Sequence, residues 1–308
     1  MRYNGISKNV GSTFCLSLDL ELLIGWHDLS NSIYERKKKE MEDVRDRIHE
    51  LISVLEKNEM KCTWSVASHL FLESCDGHDD YPNGNWLLRD PRTSLDKDPL
   101  WYATDLINRL LRSNVNFEIG CHSFSHPPFN KIGENQAQYE LKKSEKLARN
   151  WGIKLESFTF PRNEEGHKKM LSEFGYKAYR KGRTKSKISM ASELLLGTNV
   201  PEPVVPLVDE YGMVVISPSV YLGRYGAGIA RFLCKSPLRN TLSWYLQSGL
   251  EKVVDEGGVF HAWMHPHEYG KEILRKDFDY MMNLVKKYEG KDELRVLTMS
   301  EVAERVRN

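Results

Sequence analysis

The chain has 308 residues, and its 44 Lys and Arg balance 43 Asp and Glu to a formal net charge of +1. A charge this close to zero predicts no nucleic-acid partner and no attraction to an anionic membrane. No apolar run approaches the roughly 18 residues of a membrane span, and "MRYNGISKNVGSTF" lacks the apolar centre of a secretion signal. We therefore expect a cytoplasmic protein without a membrane span.

Short apolar strands and longer helices alternate along the first half of the chain. The first strand is "TFCLSLDL", residues 13–20, which brings Asp19 to its end. A helix is predicted within "SIYERKKKEMEDVRDRIHELISVLEKN", where apolar residues recur at intervals of three and four. The next predicted elements are a strand in 61–68, a helix at 101–113, a strand at 116–121, a helix at 134–150, a strand at 156–160 and a helix at 164–174.

The second half contains an irregular stretch and then returns to alternation. Residues 180–239 are treated as an insertion of uncertain structure. The elements after it are a helix at 240–255, the strand "GVFHAWMH" at 258–265, a helix at 270–287, a strand at 294–298 and a last helix. Thr298 and Glu301 have the spacing of a capping box for that helix.

Repeated strand and helix units predict an α/β fold, in which a parallel sheet is covered by helices as a barrel or a doubly wound sheet. We expect one domain spanning residues 1–308. A long connection at 74–100 is rich in turn-forming residues, and such a segment often borders a binding cleft. The five cysteines have no C-x-x-C spacing, which predicts reduced thiols and neither a disulfide framework nor a thiolate zinc site.

Ionisable side chains gather where predicted strands end, which is where parallel α/β folds place their reactive groups. The three clusters are Asp19 with Glu21, His122 with His126, and His261 with His265 and His267. Two acids two residues apart on an extended segment point to the same side, which is costly unless a cation or proton lies between them. Two histidines four apart share one metal if the segment turns helically.

Each cluster also has an ordinary structural interpretation. Asp19 would serve as a turn former or a helix cap, and His122 and His126 would be a chance pair in a turn. His261 and His265 would pack in the core with Trp263, while His267 and Glu268, past Pro266, are predicted on a surface loop. The three clusters together favour a functional site more than any one of them alone.

In their order and content, the segments "SLDLE", "HSFSHP", "FTFPRN" and "HAWMHPH" resemble the polysaccharide deacetylases of the NodB-homology type, the carbohydrate esterase family 4 group. The resemblance covers most of the chain and implies a distorted (β/α) barrel with a divalent metal held by an acid and two histidines. It implies Asp19 as catalytic base, His122 and His126 as metal ligands and His265 as general acid. Glu21 is the candidate for the acidic ligand, with the reverse assignment of Asp19 and Glu21 as the alternative.

The sequence departs from the family pattern at three places. Leu20 fills the position of the second Asp in the first motif, so the next acid is Glu21. In the third motif Thr159 stands where relatives have Arg, and Arg162 is expected to reach the same carboxylate from the other side of Pro161. The Asp-x-x-Asp-Trp motif that orients the late histidine in relatives is missing, which leaves His265 without an identified partner.

The resemblance implies removal of an N-acetyl group from an amino sugar in a polysaccharide or glycoconjugate precursor, with Zn²⁺, or Co²⁺ or Ni²⁺, as the metal. Two alternatives stay open. One is a related hydrolase acting on a non-sugar amide or an N-formyl group. The other is a carbohydrate-binding relative that has lost turnover, as the altered first and third motifs suggest. The sequence gives no indication of the oligomeric state, either monomeric or higher.

Overall fold

The computed structural model describes residues 10–84, 86–182, 201–223, 241–270 and 272–308. Its ten strands form one sheet. The strands are β1 Ser12–Leu20, β2 Thr63–Val66, β3 Glu118–Cys121, β4 Ser157–Thr159, β5 Ala178–Arg180, β6 Leu207–Val208, β7 Val214–Ile216, β8 Val220–Tyr221, β9 Gly258–Met264 and β10 Arg295–Val296. The predicted strands are therefore present, and β6, β7 and β8 lie in the stretch that the sequence left uncertain.

The sheet is almost entirely parallel, as the alternation of strands and helices predicts. Its order is β6-β7-β5-β4-β3-β2-β1-β9-β8, and β10 pairs with β1. Only the β6 and β7 pair among the described strands is antiparallel. Parallel pairing places the carboxyl ends of β1, β3 and β9 at one edge of the sheet, and the residues that follow them are brought together there.

The sheet curls into a barrel-like shape. Three strands separate β1 from β5 in the strand order. Even so, Arg180 of β5 forms an ion pair with Asp19 of β1. A side-chain contact across that many strands requires the sheet to bend round on itself, which encloses the inner face between β1 and β5.

The helices cover the sheet. They are α1 Asn31–Glu40, α2 Val44–Lys57, α3 Thr104–Leu111, α4 Glu134–Asn150, α5 Lys168–Glu173, α6 Thr241–Glu256, α7 Glu272–Glu289 and α8 Met299–Arg307. Helix α8 begins at the predicted capping box, in which the Thr298 backbone N–H donates to Glu301 and the Glu301 N–H donates to the Thr298 hydroxyl. None of the described helices is long and apolar enough to cross a bilayer.

One helix predicted from the sequence is two helices in the structure. Helix α1 buries none of its side chains, whereas α2 carries a fully buried apolar stripe. A turn at residues 41–43 separates them, and Met41 is buried within it. The apolar periodicity that suggested a continuous helix thus belongs to α2 and the turn, because the polar α1 contributes nothing to it.

A large cluster of buried apolar side chains extends from Phe14 in β1 to Val296 in β10. It includes side chains of α2, α3, α4, α6 and α7. A core this continuous supports the proposal that the chain folds as one domain. Of the predicted insertion at 180–239, residues 183–200 and 224–240 lie outside the described residues.

Candidate active site

Three buried side chains converge beyond the ends of β1 and β3. Glu21 Oε2 lies 2.9 Å from His126 Nε2 and 3.3 Å from His122 Nε2. The donor atoms of these three residues all lie within 4.8 Å of one another. They come from segments a hundred residues apart in sequence, so the parallel pairing of the sheet creates the cluster.

The His122 and His126 side chains meet through a strained turn and not through the helical turn that their spacing suggested. Ser123 and His126 have positive φ angles of 63° and 65°. The fully buried Glu140 of α4 accepts from the N–H groups of Phe124 and Ser125, each at 2.8 Å, and from the Ser125 hydroxyl. Left-handed backbone at non-glycine residues costs free energy, and Glu140 supplies the hydrogen bonds that hold the turn.

Glu21 reaches the histidines because the chain turns sharply after β1. Leu22 has a φ of 44° and begins a short 3-10 helix over Leu22–Trp26. Gly25 faces the Glu21 carboxylate, and any β-carbon at that position would overlap it. The glycine therefore leaves the space that this carboxylate needs.

The orientation of these side chains lets the cluster hold a cation. His122 Nδ1 lies 2.7 Å from the Thr159 carbonyl, which only accepts, so Nδ1 donates to it and Nε2 faces Glu21. Burial lowers the pKa of His126 despite the opposing charge of Glu21. Two imidazole nitrogens and a carboxylate oxygen that converge in a buried cluster are a donor set that suits a divalent cation.

Asp19 has a different partner from Glu21. Its two carboxylate oxygens accept from Arg180 Nη1 and Nη2 at 2.7 and 2.5 Å, and both side chains are buried. Burial alone would raise the pKa of Asp19, but the charges of Arg180 and His122 outweigh it and lower the pKa. The Arg180 guanidinium also lies 4.0 Å from the centroid of the Trp263 ring. Asp19 is thus held ionised in a fixed orientation.

Arg162 does not make the contact with Asp19 expected of it. It lies in a 3-10 turn with a φ of 56°, and its guanidinium donates to the Gly25 carbonyl at 3.1 Å and to Asp28 at 2.5 Å. The turn directs the Arg162 side chain over the segment that follows β1. The Asp19 carboxylate instead forms its ion pair with Arg180. Arg162 nevertheless lines the same cavity as Glu21.

His265 follows β9 and has the acidic partner that the sequence left unidentified. Its Nδ1 lies 3.4 Å from Glu268 Oε2 and 3.2 Å from the Tyr221 hydroxyl, which donates to Glu268 at 2.7 Å. Its Nε2 faces the cluster, 3.6 Å from Glu21 Oε1. Burial alone would lower the pKa of His265, but Glu21 and Glu268 outweigh it and raise it to about 9.

The prediction that His267 and Glu268 lie on a surface loop is wrong. Both are buried, because a short 3-10 helix at Pro266–Glu268 turns the chain inward after β9. The Glu268 carboxylate also accepts from the His265 backbone N–H at 3.1 Å. Gly223 gives it room, since a β-carbon there would overlap the carboxylate.

A cavity of about 190 Å³ lies beside the Glu21, His122 and His126 group. Its polar lining is Asp19, Glu21, His122, His126, Arg162, Asn163 and His265, and its aromatic lining is Trp26, Phe160 and Trp263. The volume suits an acyl amide group more than a whole oligosaccharide, since pockets for drug-sized ligands start at roughly 300 Å³. A larger substrate would thus insert one small group here.

Sequence reasoning missed Arg180, Glu268 and Tyr221. Arg180 stands at the end of "KAYR", where a charged residue closing a buried strand was the available signal. Glu268 stands three residues after His265, which is the spacing of a capping box. Tyr221 carries no comparable pattern, because only the pairing of β8 with β9 brings it to His265.

The comparison with protein families gives one match. The model of the family described as polysaccharide deacetylase matches residues 41–179, which is less than half of the chain. This range contains His122 and His126, and it ends one residue before Arg180. Asp19, Glu21 and His265 lie outside it. None of the curated proteins compared with the chain matches its sequence.

Several solved structures have a similar fold. A Mycobacterium smegmatis protein assigned to the polysaccharide deacetylases has a TM-score of 0.60 at 13% identity, covering 100% of this chain and 93% of its own. A Pseudomonas aeruginosa PAO1 protein with the same assignment has 0.58 at 10%, covering 96% and 91%. A PuuE allantoinase has 0.59 at 9%, covering 97% and 91%. The predicted distorted (β/α) barrel of the NodB-homology type is confirmed.

Proposed function

We propose that this chain, whose residues 41–179 match the polysaccharide deacetylase family model, is a metal-dependent hydrolase removing an N-acetyl group from an amino sugar. The proposed substrate is a cytoplasmic polysaccharide or glycoconjugate precursor. The observation that carries the proposal is the buried group of Glu21, His122 and His126, whose donor atoms face one another beside Asp19 and His265. An ionised base, a metal site and an acid around one small cavity are the parts that amide hydrolysis needs.

Glu21, His122 and His126 would hold a divalent ion, Zn²⁺ or alternatively Co²⁺ or Ni²⁺, whose chemistry is to polarise the amide carbonyl and lower the pKa of water. Two imidazoles and one carboxylate are a catalytic zinc set that leaves positions for water and substrate. This proposal makes Glu21 the acidic ligand, because Asp19 is already engaged by Arg180.

Asp19 is the proposed general base. Arg180 donates to one lone-pair site of each carboxylate oxygen, and an ionised carboxylate has about four such sites, so Asp19 can still accept the proton of the attacking water. The guanidinium keeps Asp19 ionised before the reaction. Arg180 is thus a positioning residue in the role that the sequence suggested for Arg162.

His265 is the proposed general acid. Its Nδ1 is held by Glu268 and Tyr221, which leaves Nε2 directed at the cavity. Near neutral pH the raised pKa keeps the ring protonated, so Nε2–H can give its proton to the departing amine nitrogen. Each of the two proton-transfer groups therefore has its own charged partner, Arg180 for Asp19 and Glu268 for His265.

Glu268→Gln should lower kcat by about 10- to 100-fold, in the range found when the group orienting a functional histidine is lost. The amide keeps the shape but stabilises the imidazolium less, so the His265 pKa falls and the alkaline limb of the kcat profile moves to lower pH. A pH series of kcat at saturating substrate checks this. An unchanged alkaline limb would show that Glu268 supports only the fold.

The main alternative substrate is a non-sugar amide or an N-formyl group. The fold is shared with an allantoinase, and a fold alone does not select a substrate. The cavity of about 190 Å³ would accept the amide of either class. The other alternative, a carbohydrate-binding relative without turnover, is opposed by the ion pairs that orient both Asp19 and His265.

Product analysis of the metal-loaded protein tests the proposal. We expect acetate release from N-acetylglucosamine oligomers at a rate well above that from small acetylated amides. Turnover of small amides alone, or formate release from N-formyl sugars without acetate release, would establish the alternative substrate class. No product from any of these substrates after loading with Zn²⁺, Co²⁺ or Ni²⁺ would overturn the proposed activity.

A further inference from the structure

A second group of side chains that could hold a metal ion lies in the long connection between β2 and α3. His69 belongs to a 3-10 helix over Ser68–Phe71, and Cys75, His78 and Asp90 come from the loop that follows. Asp90 Oδ2 lies 3.0 Å from Cys75 Sγ, 3.1 Å from His78 Nε2 and 3.3 Å from His69 Nε2. All four donor atoms lie within 4.8 Å of one another.

The ring orientations in this group also suit a cation. His69 Nδ1 lies 3.1 Å from the Trp101 carbonyl, which only accepts, so Nδ1 donates to it and Nε2 faces Asp90. The buried His78 Nε2 has no partner of hydrogen-bond geometry among the described residues, although Asp90 is beside it.

We propose that His69, Cys75, His78 and Asp90 form a second metal site, with Zn²⁺ as the ion it fits best. Two imidazoles, a thiolate and a carboxylate complete a tetrahedral set, and a closed set of four protein ligands is typical of structural zinc. Nitrogen and oxygen ligands about 2.0–2.1 Å from a tetrahedral Zn²⁺ lie about 3.3 Å apart. The separations between Asp90 and the two histidines, 3.1 and 3.3 Å, match that spacing.

Neighbouring groups orient these ligands as they do in metal sites. The Trp101 carbonyl holds the His69 ring, and Asp90 Oδ1 accepts from the Arg92 backbone N–H at 2.9 Å and from the Tyr102 hydroxyl at 3.3 Å. The side chains of His69, His78 and Asp90 are 0%, 4% and 1% exposed. Cys75 is half-buried, so an ion here would be shielded from water mainly by the other three ligands, whose orientation is already fixed.

The second site would fasten the loop to the turn that carries the active-site histidines. The ring of Phe124, which lies between His122 and His126 in sequence, has its centroid 5.5 Å from that of His69 and 5.0 Å from that of His78. Trp86, in the same loop as Cys75, donates to the Ser125 carbonyl at 2.9 Å. A metal crosslink within the loop would thus support the strained backbone at Ser123 and His126.

Cobalt loading of the purified full chain tests the second site separately from the first. The Glu21, His122 and His126 group has no sulfur ligand, so a thiolate-to-cobalt charge-transfer absorption reports on Cys75 alone among the proposed ligands. We expect the wild-type protein to bind about two metal ions per chain and to show this absorption. Absence of the absorption from cobalt-loaded wild-type protein would overturn the proposal without any variant.

Three variants complete the test. Cys75→Ala should lose the absorption and one bound ion per chain, whereas His126→Ala should lose one ion and keep the absorption. Cys62→Ala, which removes a buried thiol outside the group, should keep both ions. Absorption that survives in Cys75→Ala would contradict the site. If the absorption depends on Cys75 while acetate release fails, the second site stands and only the proposed function is wrong.

Discussion

His126→Ala should remove the metal from the Glu21, His122 and His126 group and lower kcat/KM by at least about 10³-fold, since metal activation of amide and water contributes several kcal/mol to the transition state. The remaining two ligands, Glu21 Oε2 and His122 Nε2, lie 3.3 Å apart and offer an ion too few donors to retain it. Metal content per chain and kcat/KM, measured on the same preparation, check this expectation.

The control for this variant is His49→Ala, which removes a partly exposed histidine of α2. It should leave both the metal content and kcat/KM at the wild-type level. If His126→Ala keeps its full complement of metal and its rate, His126 is not a ligand, and the spacing of the two histidines is only a feature of the turn.

Asp19→Asn should lower kcat by about 10²- to 10⁴-fold, which is the contribution of a positioned general base, and leave the bound metal in place. The same change leaves the buried Arg180 guanidinium without its counter-charge, so the free energy of unfolding should fall by roughly 3–5 kcal/mol. Rates must therefore be measured at a temperature where circular dichroism shows the variant folded.

The double variant Asp19→Asn, Arg180→Met separates the two effects. Removing both charges should restore much of the lost stability, because no buried charge is left unpaired, but it should not restore turnover. A wild-type kcat in the folded Asp19→Asn variant would exclude Asp19 as the base. It would reopen the assignment in which Asp19 binds the metal and Glu21 accepts the proton.

Much of the fold follows from local pattern. Buried strands such as "TFCLSLDL" and amphipathic helices such as α2 show their periodicity directly in the sequence. The capping box of Thr298 and Glu301 fixes the start of α8 from side-chain chemistry alone. Polar residues at strand ends could be placed near one another because parallel strands share an edge.

The contacts that sequence reasoning missed depend on how the sheet curls and where short turns lead. Arg180, and not Arg162, contacts Asp19 because the curl of the sheet brings β5 opposite β1. Strand order alone does not show that these two strands are close. Glu268 is buried because the turn at Pro266–Glu268 leads inward. In both cases the chemistry of the residue was visible, and its direction was set by tertiary structure.

The proposed second metal site shows that sequence reasoning about the cysteines is limited in the same way. The absence of C-x-x-C spacing argued against a thiolate zinc site. That spacing rule applies only to ligands held by one tight turn, so it does not cover ligands that a long loop brings together. Here Cys75 is proposed to act with His69, His78 and Asp90 from a long loop. The bridge between Ser74 and Ser94 closes the base of that loop, and it has no counterpart in the local sequence pattern.

The dependence of acetate release on metal is the most direct test of the proposed function. Protein stripped with a chelator should release no acetate from N-acetylglucosamine oligomers, and adding Zn²⁺, Co²⁺ or Ni²⁺ should restore release in the wild type and not in His126→Ala. Equal release from stripped and metal-loaded protein, or none from either, would contradict a metal-dependent N-deacetylase.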